Sequence, residues 1–392
     1  MSTCQPPVER HASWTELFFD LVVVAGVLQL SHLLHDGPSA ADLGLYVLLY
    51  LAFWISWVCF TVYGNVEGGR DWTPGLLPAM LGLAVMVAAV PGIRADHARA
   101  FALAYIFLRW LSGRLWRPGR VVVDWPLAQL GAGTVPWIVS LWADTPTRYG
   151  LWALGLALDL LIMLTTSGSR VLRLAQERMD RLIRKRGTAE RVPVVEAAYA
   201  DVPHLVERLG LFVIIVLGEG VIQITSVAGE AVWHAALVRA AAGGFALLIG
   251  LWSMSLLHGY GGVPKDGPGV LPVRVMMALH AATTCALAVL AAGLGLGLAH
   301  PYGHTPEGAR RLLCGSLVGY FGVGVLAAAV AGASWRRTLR WALPCLGLTL
   351  LLAGWSGHFG VGWLIWGLTA AVAWQLLCAS GVPARPARRR GA

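Results

Sequence analysis

The feature that most constrains this chain is a succession of apolar runs, each close to 20 residues long and nearly free of charge. An α-helix needs about 20 apolar residues to cross the hydrocarbon core of a bilayer. Charged residues are only 13% of the 392 residues and hydrophobic residues are 57%, whereas about a quarter of a soluble globular domain is charged. The composition therefore excludes a set of soluble domains and predicts a polytopic membrane protein.

The runs predict an all-α transmembrane helix bundle of about twelve spans. An even number of spans returns both termini to one side of the membrane. The predicted spans are 15–35, 43–63, 73–92, 98–116, 125–142, 150–168, 205–227, 236–257, 274–299, 311–332, 338–356 and 360–380.

Four regions follow from this arrangement of the chain. Residues 1–168 are predicted to form an N-terminal six-span half, and residues 204–382 a C-terminal six-span half. Between them, residues 169–203 are Arg-rich with scattered apolar positions, which predicts a basic amphipathic helix on the membrane surface. Residues 383–392 form a basic tail.

A weak internal similarity relates the two halves. Gly26 to Ser31 (GVLQLS) aligns with Gly220 to Thr225 (GVIQIT) at an offset of 194 residues, and Trp57 aligns with Trp252 one residue further. Two six-span halves in parallel orientation, a 6+6 repeat, explain this pattern. Chance matches between apolar segments of low complexity are the alternative explanation.

The basic residues indicate the orientation of the chain. The net charge is +9, and most Lys and Arg lie in loops on one side of the predicted spans. By the positive-inside rule, both termini and residues 169–203 are cytoplasmic in a cell-membrane protein. We expect the lipid bilayer as a partner, with anionic lipids at residues 169–203. No basic stretch outside the spans alternates with aromatic residues, so nucleic acid is not an expected partner.

The composition predicts no metal and no cofactor. The six cysteines include no CxxC pair, which argues against a zinc site or a disulfide framework. His204 and Glu207 could join Glu16 and Asp20 around a metal ion, but a second histidine or a cysteine ligand is missing from that set.

Ionisable residues inside the spans are the candidate site, because a charge in the bilayer costs several kcal/mol and needs a reason. Glu16 and Asp20 lie four residues apart, on one face of the first span. His204, Glu207 and Arg208 occupy one turn at the start of the seventh span. Structural ion pairs and helix caps explain these interfacial residues as well as a function does.

Glu219 is the most exceptional residue of the sequence. It lies near mid-membrane between Gly218 and Gly220, where another backbone can approach closely. Arg208 is about 16 Å away along the helix, too far for a direct pair. Because burial disfavours the charged form, Glu219 suits proton binding or general acid catalysis, and Asp20 and Glu16 are further candidates.

Arg109 in the fourth span and Asp159 in the sixth are similarly deep in the predicted membrane. They could contribute to a substrate site or gate, together with His204, Glu207 and Arg208. They could equally form an ion pair that only holds the bundle together. His280 and His358 are interpreted as histidines of the core.

Two of these segments resemble a known family. The stretch from Trp14 to Val22 (WTELFFDLV) resembles the opening signature of the bacterial low temperature requirement protein A family. The segment from His204 through Glu207 and Arg208 to Leu217-Gly218-Glu219 is similar to that family's second signature. Weaker echoes are Trp57, Tyr63, Asn65, Arg109 and Asp159.

The resemblance implies an integral membrane protein and a set of residues, but no reaction. The chain departs from the family pattern in two places. Gly220 stands where the family usually has Ser or Thr after LGE, so a hydroxyl beside Glu219 is missing. The acidic run after the second span is reduced to Glu67 and Asp71.

Three functions are compatible with these residues. A proton-coupled carrier or channel-like protein, for an unknown small-molecule or lipid substrate, uses Glu219 as a central site and Glu16, Asp20 and Arg208 as a gate. A membrane-embedded enzyme uses a buried carboxylic acid on a lipid or isoprenoid substrate, as in protonation-initiated terpene cyclisation. A scaffold or sensor reads anionic lipid through residues 169–203. We favour the carrier.

Overall fold

A computed structural model describes residues 11–34, 37–67, 73–117, 119–129, 131–166, 168–186, 195–260, 271–355 and 359–381. Helices dominate these ranges, which confirms the all-α class. His358, the tail 383–392 and residues 187–194 of the predicted linker lie outside the described residues.

Thirteen α-helices occur within the described ranges, and the fifth is only six residues long. After Trp252 the ninth continues as a π-helical turn, Ser253–Leu257. The helices are α1 Trp14–Ser31, α2 Ala40–Glu67, α3 Thr73–Ala89, α4 Ala98–Arg114, α5 Thr134–Val139, α6 Thr147–Thr165, α7 Gly168–Arg186, α8 Val202–Glu230, α9 Ala235–Trp252, α10 Val273–Leu298, α11 Glu307–Val330, α12 Trp335–Trp355 and α13 Val361–Ser380.

Nine helices of the described part of the chain are long and apolar enough to cross a membrane, namely α1, α2, α6 and α8 to α13. This finding supports a multi-pass membrane protein. The predicted count of twelve is not confirmed, since α3 and α4 have 17 residues each.

The fifth predicted span, 125–142, differs most from the prediction. It is broken into a 3₁₀ turn at Pro126–Ala128, the short helix α5, and a second 3₁₀ turn at Ser140–Trp142. Pro126 and Pro136 have no N–H to continue a helical ladder, and Gly131 and Gly133 add backbone freedom between them. An apolar run of the right length therefore does not become a single helix.

The basic segment is helical only in its first part. The helix α7 exposes Arg170, Arg173, Arg178, Arg181 and Arg184, and its place on a membrane surface stays a prediction. Further along, the segment forms a short strand, β2.

The strand β2, Glu196–Ala198, pairs in parallel with β1, Arg120–Val122. Hydrophobic periodicity cannot predict strands that are only three residues long. Their hydrogen bonds satisfy backbone groups that hydrophobic packing alone leaves without partners.

The chain divides into two compact units, with the boundaries inside α8 after Val216 and inside α10 after Ala281. We call residues 1–216 and 267–281 the N-terminal unit, and residues 217–266 and 282–392 the C-terminal unit. The predicted boundaries at 168, 203 and 382 stay a prediction.

Large aromatic side chains fill the N-terminal unit. In it, α3 packs on α1 and α4, α2 packs on α1, α4 and α6, and α5 packs on α6. The fully buried indoles are Trp54, Trp57, Trp125, Trp137 and Trp152. Burying an aromatic ring removes 150–250 Å² from water or lipid contact, so these rings dominate the core of this unit.

Small residues let the helices of the C-terminal unit approach one another closely. In this unit α13 packs on α9 and α12, and α12 packs on α11. A Cβ atom on Gly250 of α9 would lie 2.9 Å from the Val372 side chain of α13. Dense packing through small residues is the usual basis of helix association in lipid.

Candidate functional site

A buried ion cluster joins α1 to the first turns of α8 within the N-terminal unit. Arg208 lies 3.0 Å from the Glu16 carboxylate (Nη1 to Oε1) and 2.5 Å from that of Asp20 (Nη2 to Oδ1). All three residues have no exposed surface. The i, i+4 spacing of Glu16 and Asp20 lets one guanidinium engage both carboxylates, so the structure brings these predicted residues together.

Asp20 accepts hydrogen bonds on both of its carboxylate oxygens. Its Oδ1 accepts from Arg208 Nη2 and, at 2.7 Å, from Trp57 Nε1, while its Oδ2 lies 3.3 Å from Arg208 Nε. A two-point contact with a guanidinium is the strongest arrangement available to a carboxylate. The indole of Trp57 supplies the remaining donor.

Glu16 has a second task at the start of α1. Its Oε2 accepts from the Ser13 N–H at 2.7 Å, and Ser13 Oγ accepts in return from the Glu16 N–H at 3.3 Å, which makes a capping box. Glu16 is therefore a helix cap as well as an ion-pair partner of Arg208, and its role as a site residue stays a prediction.

His204 completes the cluster on the side of Glu16. Its Nε2 lies 3.6 Å from Glu16 Oε2, and its Nδ1 lies 3.1 Å from Asn65 Nδ2. His204 is 2% exposed. Two carboxylates, one guanidinium and one imidazole thus share a space without solvent, and the carboxylates outnumber the fixed positive charge.

Glu207 does not join this cluster. Its carboxylate is 37% exposed and lies 3.6 Å from His11 Nδ1, and it also accepts weakly from the Ala12 N–H. Glu207 lies three residues after His204, on the same turn of α8, but its side chain points in a different direction. The disfavoured alternative of a metal set made of His204, Glu207, Glu16 and Asp20 is therefore not assembled.

Metal binding has no support elsewhere in the ranges that the structure describes. They contain no group of three or more His, Cys, Asp or Glu side chains placed to hold an ion. The free thiols in these ranges are scattered over separate helices.

A cluster of aromatic rings packs around Trp57, the indole that donates to Asp20. The ring of Trp57 packs at 4.3 Å from that of Phe212 and at 6.0 Å from that of His280. Trp54 donates its Nε1–H to His280 Nδ1 at 3.2 Å, and His280 Nε2 lies 3.0 Å from the Leu209 carbonyl. Both ring nitrogens of His280 thus have partners, which confirms its interpretation as a core histidine.

Arg109 and Asp159 form the second buried ion pair of the N-terminal unit. Arg109 Nη2 lies 3.3 Å from Asp159 Oδ2, and both side chains are 1% exposed. The guanidinium also donates to Cys59 Sγ and to the Leu127 carbonyl, and Asp159 accepts from the Gly133 N–H at 3.1 Å. One positive and one negative charge balance here, so this pair ties α4 to α6 without a net charge.

Glu219 lies in the C-terminal unit, on the part of α8 that follows the boundary. It is 1% exposed, and its Oε1 accepts from Gln223 Nε2 at 2.7 Å, one turn further along α8. Gln223 lies directly against the Cα of Gly295 on α10. The flanking glycines have different roles: a Cβ on Gly220 would lie 2.8 Å from Leu248, whereas one on Gly218 would have no neighbour within 4 Å.

Three polar partners were not predicted as site residues: Trp57, Asn65 and Gln223. The signals that could have identified them are present in the sequence. Asn65 is the only asparagine of the chain, Gln223 stands one helical turn after Glu219, and Trp57 is the first-half member of the Trp57–Trp252 match.

The family model described as Bacterial low temperature requirement A protein (LtrA) matches residues 11–379, which is nearly the whole chain. No curated protein and no solved structure matches the chain. The chain therefore belongs to the bacterial low temperature requirement A protein (LtrA) family.

Proposed function

We propose that this membrane protein is a proton-coupled carrier or channel-like protein whose substrate is a small molecule or a lipid. The observation that carries the proposal is the charge of the buried cluster. Glu16 and Asp20 face one guanidinium, that of Arg208, in a space without solvent. An unbalanced buried charge is costly, so a mobile proton or another cation is favoured there.

Glu219 supplies a second acid for the same function. It is buried in the C-terminal unit and accepts a hydrogen bond from Gln223. The Gln223 amide can donate to an ionised Glu219 carboxylate, or it can turn over and accept from a protonated one. We propose that Glu219 gains and loses a proton during transport, while Glu16, Asp20, His204 and Arg208 gate the cytoplasmic side. Acid side chains in transmembrane segments commonly serve as proton relays.

The test is proton flux into proteoliposomes under a pH gradient, read with a pH-sensitive dye. Glu219→Gln keeps the shape and the hydrogen bond to Gln223 but cannot ionise, so flux is expected to fall to the level of protein-free vesicles. Glu230→Gln is the matched control, because Glu230 ends the same helix in an exposed position and is expected to leave flux unchanged. Wild-type vesicles without flux, or full flux in Glu219→Gln, contradict the proposal.

We also propose twelve crossings arranged as a 6+6 parallel repeat. The packing inside each unit supports it: α2–α6, α5–α6 and α4–α5 in the N-terminal unit match α9–α13, α12–α13 and α11–α12 in the C-terminal unit. One close approach also recurs. Gly26 lies against Phe53 as Gly220 lies against Leu248, each with a hypothetical Cβ at 2.8 Å, and these pairs sit at the offsets seen in the sequence.

The recurring approach makes a stability prediction. Gly26→Ala and Gly220→Ala are each expected to destabilise the protein by about 1–3 kcal/mol, because the added methyl overpacks a helix contact. Gly218→Ala has open space and is expected to stabilise α8 by up to about 1 kcal/mol through helix propensity. Thermal unfolding in detergent measures all three, and a Gly220→Ala variant as stable as Gly218→Ala contradicts the close approach.

We propose further that both termini and α7 lie on the cytoplasmic side of the cell membrane, with anionic lipids bound along α7. The exposed arginines of α7 support this orientation. A cysteine at exposed Arg173, in a background in which the native cysteines are replaced, is expected to react with an impermeant thiol reagent only in inside-out vesicles. Anionic lipid should slow the labelling, and salt should reverse this effect. Reaction in right-side-out vesicles contradicts the orientation.

The alternative function is a membrane enzyme with Asp20 or Glu219 as general acid. The contacts of Asp20 do not favour it, because both of its oxygens accept N–H groups from Arg208 or Trp57 and neither is left to face a substrate. A general acid needs a proton on one of those oxygens. We therefore retain the carrier as the proposed function.

A further inference from the structure

The side-chain amide of Asn65 has only one orientation that fits its neighbours. One of its atoms lies 2.8 Å from the Asp201 N–H, and another lies 2.9 Å from the Asp201 carbonyl oxygen. An N–H needs an acceptor and a carbonyl needs a donor, so Oδ1 faces the first and Nδ2 faces the second. The backbone of one residue thus fixes the amide at two points.

This orientation determines the proton on His204. Nδ2 of Asn65 carries two hydrogens: one goes to the Asp201 carbonyl, and the other points at His204 Nδ1, 3.1 Å away. Nδ1 must then be the acceptor, so the single proton of a neutral imidazole sits on Nε2. Nε2 faces Glu16 Oε2 at 3.6 Å.

A second ring proton on His204 is disfavoured by the same geometry. A hydrogen on Nδ1 would point at the N–H of Asn65, donor against donor. The charged groups around His204 are Glu16 from α1, whose Oε2 lies 3.6 Å from Nε2, Arg208, which pairs with Glu16, and Asp201, which accepts from the His204 backbone N–H. Glu207, on the same turn of α8, faces His11 instead. The carboxylates among them attract a proton, so Asn65 opposes a charge that the surroundings favour.

We propose that Asn65 is a positioning residue that keeps His204 neutral, with its proton on Nε2, and that double protonation of His204 requires the Asn65 amide to turn over. Turning it breaks both hydrogen bonds to Asp201, the residue just before α8. Protonation of the ring is thereby coupled to the contact between the end of α2 and the start of α8. This gives the gate of the proposed carrier a link between proton binding and backbone movement, and only that use of it depends on the proposed function.

The test reads the ring directly, in the full chain in nanodiscs with ¹⁵N-labelled histidine. His204 is assigned by the signals that His204→Gln removes. The wild type is expected to show a protonated Nε2 and an unprotonated Nδ1 at neutral pH. In Asn65→Asp, a carboxylate that accepts from Nδ1–H replaces the donor, so the unprotonated Nδ1 signal is expected to disappear and both nitrogens to be protonated.

A matched control is available in the same unit. Gln129 also accepts from one backbone N–H, that of Val122, and donates to one backbone carbonyl, that of Arg120. Gln129→Glu makes the same amide-to-acid change away from the ring and is expected to leave the His204 signals in place.

The outcomes separate this inference from the proposed function. A wild-type His204 that carries its proton on Nδ1, or two ring protons at neutral pH, overturns the inference without use of any variant. An unchanged Nδ1 signal in a folded Asn65→Asp protein overturns it as well. The predicted ring state without proton flux leaves the inference standing and refutes the carrier.

Discussion

Replacing Arg208 with glutamine is expected to destabilise the protein by about 3–5 kcal/mol, enough to abolish folding of a marginal chain. The guanidinium forms ion pairs with both Glu16 and Asp20, and all three residues are fully buried. Without it, two carboxylates remain in a space without solvent. Thermal unfolding and size-exclusion chromatography of the purified protein in detergent measure the loss.

A charge-matched variant shows whether electrostatics cause this loss. Asp20→Asn combined with Arg208→Gln removes one charge of each sign and keeps the amide within reach of Trp57, so it is expected to recover a large part of the stability. Arg170→Gln, on the exposed face of α7, serves as the control and should change stability by about 0.5 kcal/mol or less. An Arg208→Gln protein as stable as the control would show that the cluster is not closed as described.

The second large effect is expected at the Arg109–Asp159 pair. Arg109→Met leaves Asp159 buried and unpaired, and a loss of about 3–5 kcal/mol in unfolding free energy is expected. Arg109→Met combined with Asp159→Asn removes both charges and keeps an acceptor for the Gly133 N–H. Because this pair is charge-balanced, the double variant should recover most of the stability in the same unfolding measurement.

The two ion clusters also differ in the function that we expect of them. The double variant at Arg109 and Asp159 is expected to keep proton flux, since the pair carries no net charge and serves to hold α4 against α6. Loss of flux in a stable double variant would place this pair in the transport route. A double variant as unstable as Arg109→Met would instead assign the stability to the hydrogen bonds of Arg109 with Cys59 and Leu127.

The sequence predicted the fold class and the family, and it left the pairing of Arg109 with Asp159 as one of two alternatives, because charge inside apolar runs is rare and carries information. It did not predict where the fifth span breaks, since a hydropathy value does not reflect that proline lacks the N–H needed for a helical hydrogen bond. The sequence also did not predict the direction in which the Glu207 side chain points. A turn of helix places Glu207 beside His204 and Arg208, but tertiary packing decides which of them faces α1.

The residues that orient the site were the hardest to foresee. Trp57 and Asn65 act through single hydrogen bonds to Asp20 and His204 over sequence separations of 37 and 139 residues. No local pattern encodes such distances. The proposed repeat rests in the sequence on a few matching residues, and in the structure on the packing of Gly26 on Phe53 and of Gly220 on Leu248.

The capping box of α1 links the charge of Glu16 to the order of the first turn of that helix. One oxygen of Glu16 both accepts from the Ser13 N–H and faces His204. A proton that settles on that oxygen removes the acceptor from the first turn of α1, so the helix start loosens when the acid is neutralised. The rate of amide hydrogen exchange at Ser13 is then expected to rise when Glu16 is protonated. In the proposed carrier, the order of this helix end is therefore expected to follow the protonation of Glu16.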